Sequence, residues 1–171
     1  MGDNKLNIVI LTYQGDIAGS TNAISYLAKG LSERGHNIYV GCRRESLLYS
    51  LLENTNVTLV EMKFKSKFDF NNMKQINETV KKYNIDIINA QSSRDRYTSI
   101  FSKILYKFSS KIVHTRRQIP KSTGFFLQNW LYNTFTDMFV AVSDEVKEAL
   151  IKGGLDKNKI KVIYNGTHNY K

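Results

Sequence analysis

The 171-residue chain has little of what several protein classes require. Its single cysteine is Cys42, so neither an intrachain disulfide nor a cysteine zinc cluster can form. Its single proline, Pro120, falls in a segment expected to be a loop. The longest apolar runs, such as residues 8–11, are far too short to span a bilayer, and the polar start at residues 1–5 is unlike a secretory signal. We therefore expect a cytoplasmic protein in which Cys42 is a buried packing residue rather than a reactive thiol.

Acidic side chains are missing from one long segment, residues 96–136, of a chain whose formal net charge is +10. The basic residues of this segment are Arg96, Lys103, Lys107, Lys111, Arg116, Arg117 and Lys121. Its aromatic residues are Tyr97, Phe101, Tyr106, Phe108, Phe125, Phe126, Trp130, Tyr132 and Phe135. Such a face could attract nucleic acid, an anionic lipid surface or a phosphorylated substrate. The alternative is that the aromatic side chains belong to the core and the lysines only solvate the outer sides of helices.

Short apolar runs alternate with longer segments of helical periodicity. The pattern predicts strands at residues 6–12, 37–41, 57–60, 85–90, 111–115, 138–142 and 161–164. It predicts helices at residues 20–34, 45–54, 71–83, 95–109, 123–135 and 144–152. Because strands alternate with helices, we expect parallel strands joined by right-handed crossovers. The predicted fold class is α/β: a doubly wound, mostly parallel, Rossmann-like sheet of about seven strands in a single domain.

Three positions are expected to mark helix ends. Ser20 or Thr21 is the predicted N-cap of the first helix, and Gly35 is its predicted C-cap. Ser143 is the predicted N-cap of the last helix.

In a doubly wound sheet, ligands bind beyond the carboxyl ends of the strands. The loops that follow the predicted strands should therefore line one rim of the molecule. They are residues 13–20, 42–45, 63–70, 91–95, 116–121 and 143–144.

The first rim loop contains the candidate substrate-binding residues Gly15, Gly19 and Ser20. Glycines let a backbone approach a ligand closely, and a helix N-terminus offers free N–H groups to an anion. The spacing matches neither a GxGxxG dinucleotide loop nor a Walker A loop, which disfavours a dinucleotide cofactor and ATP. Glycines are common at strand–helix turns, however, so a purely conformational role stays open.

A second candidate cluster, residues 89–96, includes Gln91, Ser92 and Arg94. Amides and hydroxyls suit the alternating donors and acceptors of a sugar, and arginine suits phosphate or carboxylate. The alternative is a helix N-cap formed by Ser92, Ser93 or Asp95, and both interpretations can hold together.

The third candidate cluster is His114, Arg116 and Arg117, at the end of the fifth predicted strand. Paired arginines at a strand end indicate an anion, because each guanidinium offers a bidentate fork of donors. His114 lies inside the apparent strand, which favours a packed, hydrogen-bonded histidine over one that transfers a proton.

Several kinds of catalytic site have no support in the sequence. There is no cluster of histidine, cysteine or carboxylate residues at metal-binding spacing and no Gly-x-Ser-x-Gly nucleophile elbow. Asp16, Asp69 and Asp95 all fall in loops, with nothing to distinguish a catalytic pair. We assign no metal site and no catalytic residue from the sequence.

Four groups of segments follow one another in a recognisable order that covers nearly the whole chain. They are residues 8–20 with 26–36 (ending in Arg-Gly-His), 86–93 (Asp-Ile-Ile-Asn-Ala-Gln-Ser-Ser), 113–117 (Val-His-Thr-Arg-Arg), and 139–147 with 160–166 (Ile-Lys-Val-Ile-Tyr-Asn-Gly). In order and spacing, the chain resembles the N-terminal domain of a GT-B-type glycosyltransferase of the family-4-like group.

The resemblance implies transfer of a sugar from a nucleoside-diphosphate donor to an acceptor, with no required metal or other cofactor. It implies two Rossmann-like domains across a cleft, the N-terminal one holding mainly the acceptor and the C-terminal one most of the nucleotide. Residues 1–164 would then be the acceptor-side domain and residues 165–171 the start of an interdomain linker, with the nucleotide-sugar domain outside this chain. Family members often have histidines where Asn89 and Gln91 stand, and many have one where Arg116-Arg117 stand, so no catalytic residue is carried over.

The leading hypothesis is the acceptor-side half of a retaining glycosyltransferase, inactive alone, that acts on a cell-envelope glycan or lipid-linked acceptor such as lipopolysaccharide. The basic, aromatic segment would face that acceptor or an anionic surface at the inner face of the membrane. Two alternatives stay open: half of a nucleotide-sugar epimerase, and a non-enzymatic module that binds anionic lipid or nucleic acid. Nucleic acid is the weakest of these partners, because no recognition motif is present.

Overall fold

One sheet of seven parallel strands organises the computed structural model, which describes residues 5–16, 18–119 and 126–166. The strands are β1 (Asn7–Leu11), β2 (Asn37–Cys42), β3 (Thr58–Glu61), β4 (Ile87–Ala90), β5 (Lys111–Arg116), β6 (Met138–Ala141) and β7 (Ile160–Val162). Their order across the sheet is β3-β2-β1-β4-β5-β6-β7, and every neighbouring pair is parallel. The predicted doubly wound, Rossmann-like single domain is confirmed.

Helices connect successive strands throughout the described ranges. They are α1 (Ala18–Glu33), α2 (Leu47–Leu52), α3 (Phe70–Tyr83), α4 (Ser93–Tyr106), α5 (Phe126–Phe135) and α6 (Asp144–Lys152), with a single 3₁₀ turn at Lys157–Lys159 before β7. Pro120, Lys121, Phe125 and the first residues of the helix predicted at 123–135 lie outside the described residues. Residues 167–171 of the predicted linker do so too.

The order of strands reverses direction next to β1. After β1 the chain adds β2 and then β3 on one side, and it then crosses back so that β4 pairs with the other side of β1. Ile8 stands opposite Ile38 of β2 and opposite Ile87 of β4. In doubly wound sheets, ligands bind at such a switch point, outside the carboxyl ends of the strands. The fold therefore directs attention to the space beyond Leu11 and Ala90.

Strand β1 is buried between two hydrophobic clusters, one on each face of the sheet. Val9 and Leu11 belong to the larger cluster, to which α3, α4, α5 and α6 contribute. Ile8 and Ile10 belong to the smaller cluster, to which α1 and α2 contribute. Because helices cover both faces, the strand carries an unbroken apolar run instead of an alternating pattern, as predicted.

Helix α1 confirms one predicted end and corrects the other. It starts before Ser20, so Ser20 and Thr21 lie in its first turn and the prediction that either is the N-cap is wrong. At the other end, Gly35 has a φ of +90°, and the His36 N–H donates to the Leu31 carbonyl at 3.2 Å. This left-handed glycine closes the helix, as predicted.

Two strands, β4 and β7, begin or end two residues away from their predicted bounds, because apolar residues continue beyond the strand. Ile85 precedes β4 and packs in the core without belonging to the strand. Ile163 and Tyr164 follow β7 and are exposed. Hydrophobicity alone does not show where strand pairing stops.

Cys42 is fully buried at the end of β2, as predicted. Burial raises the pKa of its thiol to about 11, so it is protonated and unreactive near neutral pH. Among the residues that the structure describes, no helix is long and apolar enough to cross a membrane.

Candidate functional site

An open cleft of about 540 Å³ lies at the switch point, beyond the carboxyl ends of β1, β4 and β5. Six of the predicted site residues line it: Gly19, Ser20, Gln91, Ser92, Arg116 and Arg117. Polar residues outside the predicted set also line it, namely Thr12, Gln14, Ser93, Arg96, Gln118 and Asn165. The fold thus brings parts of all three predicted clusters to one place.

On the β1 side, Thr12 joins the first rim loop to the start of α4. Its hydroxyl lies 2.9 Å from the Ser92 hydroxyl and 2.9 Å from the Gln14 carbonyl. Gly19 is exposed in the first turn of α1, and a Cβ added there would have nothing within 4 Å. A ligand can therefore approach the backbone of α1 close to its N-terminus, where the helix dipole favours negative charge.

On the β4 side, Asp95 holds the loop that shapes the cleft. Its carboxylate accepts from the backbone N–H groups of Gln91 and Ser92, each at 2.7 Å, and from that of Tyr13 at 3.3 Å. With Ser92 it forms a capping box at the start of α4, so the predicted capping role is confirmed.

Burial raises the pKa of Asp95 to about 6, although its hydrogen bonds to backbone N–H groups and the nearby Arg96 oppose the rise. The Asp95 carboxylate is already hydrogen-bonded to backbone N–H groups, so it is not available to a ligand.

On the β5 side, Arg117 is fixed by a chain of neutral amides. Its Nη1 donates to the side-chain oxygen of Gln91, whose amide nitrogen donates in turn to the Asn89 side chain at 2.9 Å. Thr115 donates to the same Asn89 oxygen at 3.0 Å. The guanidinium is therefore positioned without being neutralised.

The arginines of the cleft, Arg96, Arg116 and Arg117, have no directly bonded carboxylate among the described residues. Burial lowers the pKa of Arg116 to about 10, with Arg96 adding to the effect, and burial alone lowers that of Arg117 to about 10. Both side chains still carry a full positive charge at neutral pH.

His114, a residue of β5, is fully buried and does not line the cleft. Its Nδ1 lies 3.2 Å from the Thr136 hydroxyl, and its ring meets Tyr132 and Phe139 edge to face. Burial, reinforced by nearby arginines, holds the pKa of His114 well below its ordinary value of 6.5. It is the packed, hydrogen-bonded histidine that the sequence favoured, and it is neutral at physiological pH.

Gly15 and Arg94, two other predicted site residues, have structural contacts elsewhere. A Cβ on Gly15 would lie 2.7 Å from the Ser46 Cβ, and the Gly15 carbonyl accepts from the Leu48 N–H at 3.0 Å. Arg94 donates to the Phe64 carbonyl at 3.1 Å and lies over the Tyr13 ring. Neither is part of the cleft lining.

The cleft wall is suited to binding rather than to proton transfer. Among the described residues that line it there is no histidine, aspartate or glutamate. Within residues 5–16, 18–119 and 126–166, no three histidine, cysteine or carboxylate side chains are grouped to hold a metal ion. What remains is a set of amides and hydroxyls beside three guanidinium groups, which suits a ligand that has both hydroxyl and anionic groups.

Comparison with protein-family models identifies the family to which the chain belongs. The model described as Glycosyltransferase Family 4 matches residues 17–168, which is most of the sequence. The chain belongs to this family. A search of curated proteins gives no significant match.

Solved structures with the same fold include nucleotide-sugar enzymes. HepE of Anabaena in complex with UDP-glucose matches with a TM-score of 0.77 at 20% identity, over 95% of this chain and 44% of that one. A glycosyltransferase from Rickettsia africae matches with a TM-score of 0.74 at 26% identity, over 94% and 43%. A putative UDP-N-acetylglucosamine 2-epimerase from Listeria monocytogenes matches with a TM-score of 0.60 at 17% identity, over 92% and 44%. The chain spans less than half the length of each of these proteins.

Proposed function

We propose that this chain is the acceptor-side half of a retaining glycosyltransferase that moves a sugar from a nucleoside-diphosphate sugar to a cell-envelope glycan or lipid-linked acceptor. One observation carries the proposal: a Family 4 domain has a cleft at its switch point that combines amides and hydroxyls with arginines that make no ion pair among the described residues. Because the described part of the lining contains no histidine, aspartate or glutamate, the proposal gives this half a binding and positioning role.

The donor half of the proposal draws on the similar structures and on α1. HepE, which has the same fold, was solved with UDP-glucose bound. In this chain the exposed Gly19 leaves the start of α1 open to the close approach of a diphosphate. A second Rossmann-like domain, beyond the linker proposed at residues 165–171, would hold most of the nucleotide.

The acceptor half of the proposal draws on α5 as well as on the arginines. Phe126, Leu127 and Trp130 are 88%, 71% and 52% exposed. Because α5 follows β5 in a parallel sheet, its first turn lies at the same edge as the cleft. Apolar side chains beside a basic cleft suit peripheral contact with an anionic membrane that presents a lipid-linked acceptor.

The membrane contact is tested by sedimentation with vesicles that contain phosphatidylglycerol. A Phe126→Ser/Leu127→Ser variant should lose most of its binding. The control is Leu105→Ser, which removes an exposed leucine from α4 and should bind like the wild type. Equal binding by both variants would remove the membrane from the proposal.

The enzymatic proposal is tested with the product of the complete reading frame and a panel of nucleotide sugars. We expect binding by calorimetry, sugar transfer only when an acceptor is added, and an anomeric configuration in the product that matches the donor. The 171-residue chain alone should give no turnover. Absence of nucleotide-sugar binding by the complete protein would contradict the proposal.

The epimerase alternative is favoured by the shared fold of two UDP-N-acetylglucosamine 2-epimerase structures, one of which is the Listeria protein. Those matches have TM-scores of 0.60 and 0.61, against 0.77 for HepE, and the family model is that of a glycosyltransferase. An epimerase converts its nucleotide sugar without an acceptor, so product analysis in the absence of acceptor separates the two. A nucleic-acid module would show affinity that falls steeply with salt.

A further inference from the structure

We propose that Arg96, Arg116 and Arg117 form a subsite for an anionic group, a phosphate or a carboxylate, that is carried by the sugar acceptor. The identity of the ligand as an acceptor rests on the proposed function. The anion-binding character rests on the charge and hydrogen bonding of the cleft itself.

The first argument is charge. The three arginines line one cleft, and no carboxylate among the described residues lines it with them. Asp95, next to Arg96 in sequence, is occupied by backbone N–H groups at 2.7 Å. Asp95 acts on Arg96 without a direct ion pair, and Arg116 and Arg117 have no ion pair among the described residues, so an anion beside this wall would stabilise these partly buried cations.

The second argument is the set of unused donors. The Nε atoms of Arg96 and Arg117 are buried, and neither has a hydrogen-bond partner among the described atoms. The Gln91 side chain fixes the plane of the Arg117 guanidinium through Nη1. A guanidinium whose plane is fixed in this way can donate to an oxyanion with little loss of side-chain entropy, and such charge-assisted bonds are among the strongest in proteins.

The third argument separates this subsite from a donor diphosphate. The open start of α1 lies beyond β1, whereas Arg116 and Arg117 lie at and beyond the end of β5. Strand β4 stands between these strands, so their ends are about 10 Å apart. A diphosphate against α1 and an anion held at the β5 wall can therefore occupy separate positions in this cleft of about 540 Å³. If the diphosphate lies against α1, the arginines are left for a second anion, and the amides of Gln91, Gln118 and Asn165 lie beside it for sugar hydroxyls.

The test is calorimetric titration of the 171-residue chain, at low salt, with glucose 6-phosphate, glucuronate and glucose. We expect binding of one or both anionic sugars and none of glucose. Arg117→Gln and Arg116→Gln should each weaken that binding about tenfold or more. Arg44→Gln, which removes an exposed arginine of the same charge, should leave it unchanged. Arg117→Lys should recover only part of the affinity, because lysine keeps the charge but lacks the fork.

The outcomes divide clearly once thermal melts show that the variants are folded. The inference is overturned if glucose binds as well as glucose 6-phosphate, if neither anionic sugar binds, or if Arg44→Gln weakens binding as much as Arg117→Gln. A competition titration with UDP shows whether the bound anion corresponds to the donor diphosphate or to the acceptor. Competition by UDP for this subsite would assign the arginines to the donor diphosphate and overturn the inference while leaving the proposed function intact; absence of competition supports an acceptor anion. The proposed function fails separately, if the complete protein transfers no sugar.

Discussion

Arginines stand on both sides of the cleft rim, in contrasting electrostatic environments. On the β1–β2 side, Arg43 makes ion pairs with Asp16 and Glu45, and its Nε donates to the Tyr13 carbonyl at 3.3 Å. On the β4–β5 side, Arg96, Arg116 and Arg117 have no such partner among the described residues. The same residue type therefore has two uses within one fold.

The difference in ion pairing shows which side of the rim is held by charges within the protein and which side has charge available to a ligand. Asp16 also accepts from the Leu47 N–H at 3.3 Å, so the charge of Arg43 helps tie the first rim loop to the start of α2. Arg117 is held instead by the neutral amide of Gln91, which positions the guanidinium and leaves its charge available. The unpaired side is the one on which we place the ligand.

The largest expected effect tests whether the Asp95 side chain stabilises the backbone of the 91–95 loop. Asp95→Ala leaves the Ser92 N–H without its carboxylate acceptor. The Gln91 N–H loses the same acceptor but keeps its bond to the Leu11 carbonyl. We expect the free energy of unfolding in urea to fall by about 3 kcal/mol. Asp156→Ala removes a carboxylate that caps the 3₁₀ turn through a single 2.9 Å bond, and it should cost about 1 kcal/mol or less. Equal costs would mean that Asp95 does not organise this side.

The role of Asp95 is also tested by the direction in which the stability of the protein changes with pH. Burial raises the pKa of Asp95 from 3.8 to about 6, so the folded state holds its proton more tightly than the unfolded state does. The stability contributed by Asp95 is then fully present below pH 3.8 and is lost as the pH rises through about 6. The loss amounts to about 3 kcal/mol at most.

The measurement is urea unfolding of wild type and Asp95→Asn between pH 4 and pH 7. The stability of the wild type relative to the variant should fall as the pH rises. If Asp95 instead formed a strong ion pair with Arg96, its pKa would be depressed and the relative stability would rise. That result would break the contrast between the paired and unpaired sides.

Substitution of two glycines in the first rim loop should change the free energy of unfolding less than Asp95→Ala does. In Gly15→Ala the new Cβ would lie 2.7 Å from Ser46 Cβ, so we expect a loss of about 2 kcal/mol in unfolding free energy. Gly19→Ala meets nothing within 4 Å and should leave stability unchanged or raise it by up to about 1 kcal/mol. In the complete protein, Gly19→Ala should still weaken nucleotide-sugar binding, because its methyl group occupies the approach to α1. Unchanged binding would remove α1 from the donor site.

The smallest expected effect concerns Arg43. Its ion pairs are partly exposed, so Arg43→Gln should lower the free energy of unfolding by about 1 kcal/mol or less. Added salt should shrink the difference between wild type and variant. Calorimetry with glucose 6-phosphate should give the wild-type affinity. A loss of affinity comparable to that of Arg117→Gln would show that the two sides of the rim do not differ.

The fold was largely predictable because its signals are local. The unbroken apolar run of β1 indicated a strand covered on both faces, and Gly35 marked the end of α1 through a backbone conformation that glycine favours. The start of α1 was misjudged because Ser20 is a typical capping residue, yet the helical backbone extends beyond it toward β1.

The site was predictable as a place but not residue by residue. Arg94 and Arg96 are two positions apart, which is about 200° around a helix, so one contacts the Phe64 carbonyl and the other enters the cleft. Gly15 and Gly19 look alike in sequence, but only Gly15 packs against Ser46, a contact between distant parts of the chain. Such distinctions depend on which face of an element meets which neighbour, and spacing alone does not contain that information.

The most direct measurement follows the arginine Nε–H signals of the ¹⁵N-labelled chain while glucose 6-phosphate is added. One spectrum contains both classes of arginine, assigned with Arg43→Gln, Arg96→Gln and Arg117→Gln. We predict that the Arg96 and Arg117 signals shift and saturate together, because their Nε atoms have no partner in the free protein, while the Arg43 signal stays in place. Signals that all drift alike without saturation, or Arg96 and Arg117 signals that do not move, would contradict the account of this cleft as a site for an anion.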